Sequence, residues 1–140
     1  MTETIHASTV AIRGHAVLIE GPSGAGKSDL ALRLIDRGAV LVSDDYTVLT
    51  AIDDHLSASP PATIAGRLEV RGIGIIPVAH VEQAPVGLLV HLSAEVERMP
   101  EVESRLFAGV SIPAIALDPR DASAPIKVEL ALKHLLERAP

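Results

Sequence analysis

A chain of 140 residues with a net charge of −6 has room for one domain, expected over residues 1–140, with a single substantial core. Hydrophobic residues make up 48% and aromatic ones only 1%, so aliphatic side chains and alanine must fill that core. An acidic balance without a basic run disfavours nucleic-acid binding, and the absence of cysteine excludes disulfides, thiolate zinc sites and cysteine nucleophiles. No signal pattern and no apolar run of membrane-spanning length is present, which points to a cytoplasmic protein without a membrane partner.

Taken in chain order, Thr9–Ile12 and Ala16–Glu20 are predicted strands. A helix follows from Asp29 to about Arg37, closed by Gly38. Val40–Ser43 is a short apolar run of the kind buried in a sheet. Tyr46–Thr50 is β-rich, and Asp53-Asp54 suits a hairpin turn before Leu56. Ser57–Ala62, with Pro60-Pro61, is expected to be a loop. Leu68-Glu69-Val70 leads into Arg71–Pro77, whose glycines suggest a turn or a close backbone approach. Val86–Leu92 and Ile112–Leu117 are expected to be further buried strands. Pro125, after the candidate cap Ser123, opens a final helix to about Arg138. The class is α/β with few helices. Several strands in succession after the first helix predict a departure from regular strand–helix alternation.

The most informative segment is Gly21-Pro22-Ser23-Gly24-Ala25-Gly26-Lys27-Ser28, a complete phosphate-binding loop pattern between a predicted strand and a predicted helix. Its glycines let successive backbone N–H groups turn towards phosphate oxygens. Lys27 supplies a mobile cation for the β- and γ-phosphates, and the Ser28 hydroxyl suits Mg²⁺. The helix N-terminus adds partial positive charge directed at the same anion. A tight glycine-rich turn without a ligand is the plainer alternative.

Nucleotide chemistry needs a second carboxylate, usually at the end of a hydrophobic strand. Asp44 and Asp45 fit, and successive side chains on a strand end diverge, so one can face the metal and the other the acceptor. Asp doublets also favour plain solvated turns. Glu69 and Arg71 flank Val70 and share one face of a strand. There they form either a surface ion pair or part of a site, and Gly72 and Gly74 favour the latter.

With these segments in view, the chain resembles the catalytic domain of the HPr kinase/phosphorylase family, which phosphorylates a serine of the phosphocarrier HPr. The resemblance rests on His6, the loop Gly21–Ser28, Leu41-Val42-Ser43-Asp44-Asp45, and Leu68-Glu69-Val70-Arg71-Gly72-Ile73-Gly74-Ile75-Ile76. It spans roughly residues 5 to 137 and thins after Pro77. It implies a P-loop fold with a mixed, strand-rich sheet like that of phosphoenolpyruvate carboxykinase. It also implies ATP and Mg²⁺ as cofactors, HPr or an HPr-like carrier as partner, and a homo-oligomer, a hexamer in the family. Carried over by motif, Lys27 binds phosphates, Ser28 and Glu69 serve Mg²⁺, and Asp44 supports the metal. Asp45 is the general base for the seryl hydroxyl and the acid in the reverse, phosphorolytic reaction. His6 is an active-site histidine. Arg98 is the first choice for the family's active-site arginine and Arg105 the second.

This sequence departs from the family in having Ala7 where glycine is usual and Pro77 after Ile75-Ile76, and it matches a short form with the catalytic domain alone. The segment Val110–Leu117 only weakly resembles the one linked to dephosphorylation. Two other readings stay open: a small-molecule kinase or carboxykinase-like nucleotide enzyme, and a nucleotide-binding regulatory module without phosphoryl transfer. The remaining histidines, His15, His55, His80, His91 and His134, show no metal-ligand spacing.

Overall fold

The structure is a computed structural model and describes residues 1–138. Among the described residues, eleven strands and two α-helices follow one another in chain order. They are β1 (Thr2–Ile5), β2 (Ala7–Ile12), β3 (His15–Glu20), α1 (Lys27–Asp36), β4 (Val40–Ser43), β5 (Thr47–Ile52), β6 (His55–Ser59), β7 (Arg67–Val70), β8 (Gly74–Pro77), β9 (Ala84–Leu92), β10 (Glu103–Phe107), β11 (Val110–Leu117) and α2 (Ala124–Arg138). A single 3-10 turn at Ala62–Ile64 lies between β6 and β7. Nine strands join one mixed sheet, ordered β1-β5-β6-β9-β3-β2-β4, with β11 and then β10 branching from β9. β9 runs parallel to both β3 and β11, while β2 lies antiparallel between β3 and β4. β7 and β8 form a separate antiparallel ribbon.

The central strands are apolar on both faces because both are covered. Val17, Ile19, Leu88 and Val90 point to the side packed by α1, α2 and Leu68 of β7. Ala16, Leu18 and Leu89 point the other way, towards Leu49, Leu56, Phe107 and Ile112. Strands buried on two faces lose the polar alternation of a half-exposed sheet.

Local chemistry fixes the ends of the first helix. Gly26, at φ 101°, precedes its first residue. At the other end Gly38, at φ 111°, follows Arg37. The Gly38 N–H donates to Ile35 O and the Ala39 N–H to Leu34 O, both at 3.0 Å. That pair of reversed bonds is the glycine-terminated helix end expected from the sequence.

The predicted elements are all present, with shifted ends. The loop expected from Ser57 begins three residues later, at Pro60, because β6 extends to Ser59 by pairing with β5 and β9. The expected Asp53-Asp54 turn joins β5 to β6. Three strands were not expected: β8, which occupies Gly74–Pro77 of the segment read as a turn or close backbone approach and pairs with β7, and β1 and β10. The last two carried no readable signal. β1 and β10 are edge strands with largely exposed side chains, so neither shows an apolar period.

Leu34 is fully buried in α1 against the sheet. Leu34→Ala is expected to cost roughly 2–5 kcal/mol, read as a lower urea midpoint at unchanged slope.

Candidate functional site

At the C-terminal end of β3 the chain turns through residues 21–26 into α1, giving the strand–loop–helix context that the pattern requires. Gly24 (φ 80°) and Gly26 (φ 101°) both adopt backbone that other residues resist. At Gly21, a Cβ would come within 3.2 Å of both Ala25 and Leu92. Lys27 is nearly buried and folds its ammonium back onto Gly21 O (2.9 Å) and Pro22 O (3.1 Å). Those carbonyls hold the cation inside the loop, where a phosphate would compete for it.

A cleft of about 450 Å³ opens over this loop. Its walls carry Ser23, Gly24, Gly26, Lys27 and Ser28 of the loop and helix together with His6, Ser8, Asp45, Glu69 and Arg71. His6 between β1 and β2, Lys27 and Ser28 of α1, Asp45 just after β4, Glu69 of β7 and Arg71 just beyond it thus converge on one space.

The two aspartates have different surroundings. Asp44 is buried and its carboxylate accepts three hydrogen bonds: Ser8 Oγ (2.6 Å) and Ser28 Oγ (2.7 Å) to Oδ1, and the Glu69 N–H (2.9 Å) to Oδ2. Asp45 is the middle residue of a tight turn in which the Tyr46 N–H donates to Asp44 O at 2.8 Å. Its φ of 70° is strained for a side-chain-bearing residue, a cost on the order of 1–3 kcal/mol. The strain points the Asp45 carboxylate outwards, 63% exposed, with Oδ1 2.7 Å from His6 Nε2. A carboxylate only accepts, so His6 donates through Nε2. The His6 ring in turn stacks on Tyr46, centroids 5.1 Å apart.

Glu69 and Arg71 both line the cleft, and among the described residues Arg71 has no ion pair. The surface Glu–Arg pair left open by the sequence is therefore not formed. Arg98 lies on the exposed connection between β9 and β10 and is not among the residues lining the cleft. Arg105 pairs with Glu20, which also accepts from His91 at 2.8 Å, just ahead of the loop.

The donor set suits Mg²⁺: a hydroxyl (Ser28) and a carboxylate (Glu69) beside a phosphate cradle are hard oxygen ligands. Among the described residues no three His, Cys, Asp or Glu side chains converge on one metal position. Mg²⁺ typically takes one or two protein carboxylates and completes its shell with water and phosphate.

Two contributors went unremarked in the sequence. Ser8 is a hydroxyl on an otherwise mostly apolar buried strand, two residues after His6, and that polarity was the available signal. The second is the turn Asp118-Pro119-Arg120, which flanks the loop. Pro119 O accepts from Arg33 Nη2 of α1 at 2.7 Å. Arg120 donates from its backbone N–H and its guanidinium to Asp118.

A phosphate-binding loop thus lies beside an acidic doublet on a strand-rich mixed sheet. The family model described as the HPr serine kinase C-terminal domain matches residues 1–118, and the chain belongs to that family. The HPr kinase/phosphorylase of Lactiplantibacillus plantarum is 33% identical over 98% of this chain and 46% of its own length. That of Clostridium tetani is 40% identical over 63% of this chain and 31% of its own. The chain thus spans less than half the length of these curated relatives. Among solved structures, the Hpr(Ser) kinase/phosphatase of Coxiella burnetii superposes with a TM-score of 0.83 at 34% identity, covering 96% of this chain and 97% of that one.

The Arg120 hydrogen bonds hold the Asp118 carboxyl down at about 2. A depressed carboxyl stabilises the folded state above its unfolded value, and that contribution is lost as pH falls towards 2. In a carboxyl NMR titration the Asp118 midpoint should return towards the usual aspartate range in Arg120→Ala.

Proposed function

We propose that this protein is an ATP- and Mg²⁺-dependent serine protein kinase acting on HPr or an HPr-like phosphocarrier in the cytoplasm. The observation that carries the reading is the division of surroundings between the two aspartates beside the loop. Asp44 is saturated by three donors. Asp45 has one partner, His6, and stands open to an incoming hydroxyl. The alternation of side chains in the sequence suggested two directions, and the hydrogen bonds support a role for each. We further read the sheet as the phosphoenolpyruvate carboxykinase-like variant of a P-loop fold. Its support is the single α-helix α1 between β3 and β4, followed by strands and one 3-10 turn until α2.

In this reading the loop amides and Lys27 hold the β- and γ-phosphates. Ser28 and Glu69 hold Mg²⁺, which when bound offsets charge on those phosphates. Ser28 donates its proton to Asp44, leaving its oxygen lone pairs for the metal side. A serine of the carrier enters beside Asp45, whose carboxylate takes the hydroxyl proton as the oxygen attacks the γ-phosphorus and the bond to ADP breaks. His6 fixes the Asp45 carboxylate by its Nε2–H. Arg71, unpaired on the cleft wall, adds positive charge near the transferring group. Arg98, the first choice by motif, is assigned to the equatorial phosphoryl oxygens although it lies outside the cleft lining, and Arg105 is engaged by Glu20. Run in reverse, inorganic phosphate attacks the phosphoserine phosphorus, Asp45 returns the proton to the serine oxygen, and pyrophosphate leaves. The family's oligomeric state, a hexamer, is assigned to this chain on the same footing.

Incubation with labelled ATP, Mg²⁺ and HPr should label serine. Asp45→Asn should lower the transfer rate by at least about a hundredfold, the scale of a lost general base, with ATP affinity unchanged. Labelling at the wild-type rate would remove Asp45 from this role. Arg98→Ala should lower kcat by about 10²-fold or more, as for a lost oxyanion partner. Arg105→Ala should change it by less than about tenfold, as for a surface ion pair; the opposite ranking would reassign the arginine.

A further inference from the structure

Ser8 is fully buried in β2 and has a hydroxyl that the proposed reaction does not use. The other hydroxyl of that strand's buried stretch, Thr9, is accounted for by Thr47, 2.8 Å away, and so ties β2 to β5. Ser8 instead faces the cleft. Its Oγ donates to Asp44 Oδ1 at 2.6 Å and lies at the outer limit of bonding, 3.5 Å, from the Asp45 N–H. One side chain therefore touches both members of the acidic doublet.

From this geometry we infer that Ser8 is a positioning residue for the nucleotide–metal site, acting through Asp44. Asp44 Oδ1 is shared by two hydroxyl donors, Ser8 from the sheet and Ser28 from the helix. Ser8 belongs to a strand hydrogen-bonded on both edges, to β3 and to β4, so it is the fixed member. It anchors the carboxylate, and the carboxylate then sets where the Ser28 hydroxyl and the Glu69 backbone lie. Without Ser8, the buried carboxylate loses a short donor and is free to rotate towards its remaining partners. Residues that orient metal ligands from behind affect metal affinity by about 10–100-fold when removed. The inference rests on the reading that this loop takes a Mg²⁺–nucleotide, but not on phosphoryl transfer.

The test is ATP affinity by isothermal titration, with and without Mg²⁺, for the wild type, Ser8→Ala, Asp44→Asn and the double variant, with thermal melting as the fold control. Ser8→Ala should reduce the Mg²⁺-dependent gain in affinity about tenfold and leave metal-free binding unchanged. In the Asp44→Asn background, Ser8→Ala should have little further effect, because the two act as one unit. An undiminished Mg²⁺-dependent gain in Ser8→Ala overturns the inference. So do additive effects of the two substitutions, or an equal loss with and without metal. A wild type that binds Mg²⁺–ATP and transfers no phosphoryl group defeats the kinase reading alone, and the Ser8 comparison still decides.

Discussion

A single buried carboxylate holds the site together. Burying the charge of Asp44 would be costly without partners, and it is matched by donors from three separate elements: Ser8 of β2, Ser28 of α1 and the Glu69 N–H of β7. Those elements, already packed together through Leu68, Leu30 and Val10, are tied at the head of the helix by this carboxylate. The loop, the strand floor and the β7–β8 ribbon are thereby kept in one register. Asp45, next along the chain, is left with the opposite character. Its strained turn directs it to solvent, where His6, braced by Tyr46, is its partner.

The sheet provides the rigidity this arrangement needs. β3 and β9 are buried on both faces and paired side by side, so the strand delivering the loop is among the least deformable parts of the molecule. Glu20, its last residue, is further held by His91 and Arg105. On the far side α1 is tied by Arg33 to Pro119, in the turn that the Asp118–Arg120 pair closes. The cleft lies between these supports, with Glu69 and Arg71 presented by a ribbon outside the main sheet.

Features with strong local causes were legible in the sequence. The apolar runs at Val40–Ser43 and Val86–Leu92 read as buried strands because both their faces are covered. Gly38 read as a helix end because only glycine takes φ 111° without strain. β1 and β10 were invisible for the converse reason. Each is a polar edge strand whose structure comes from pairing with one neighbour, β5 or β11. Likewise Glu69 and Arg71 could be placed on one face, yet whether that face met solvent or a cleft depended on a ribbon that the sequence pattern did not define.

By itself the sequence determined the phosphate-binding loop, its strand–helix setting and the family to which the chain belongs, because these rest on residue types at fixed short spacings. Tertiary structure decided which aspartate is saturated and which is open, and brought Ser8 into contact with both. It also decided that Arg71 faces the cleft unpaired while Arg105 is engaged by Glu20. The physical reason is that hydrogen-bond saturation of a carboxylate is set by donors 16 to 36 positions away along the chain. No local period or spacing encodes where such donors meet.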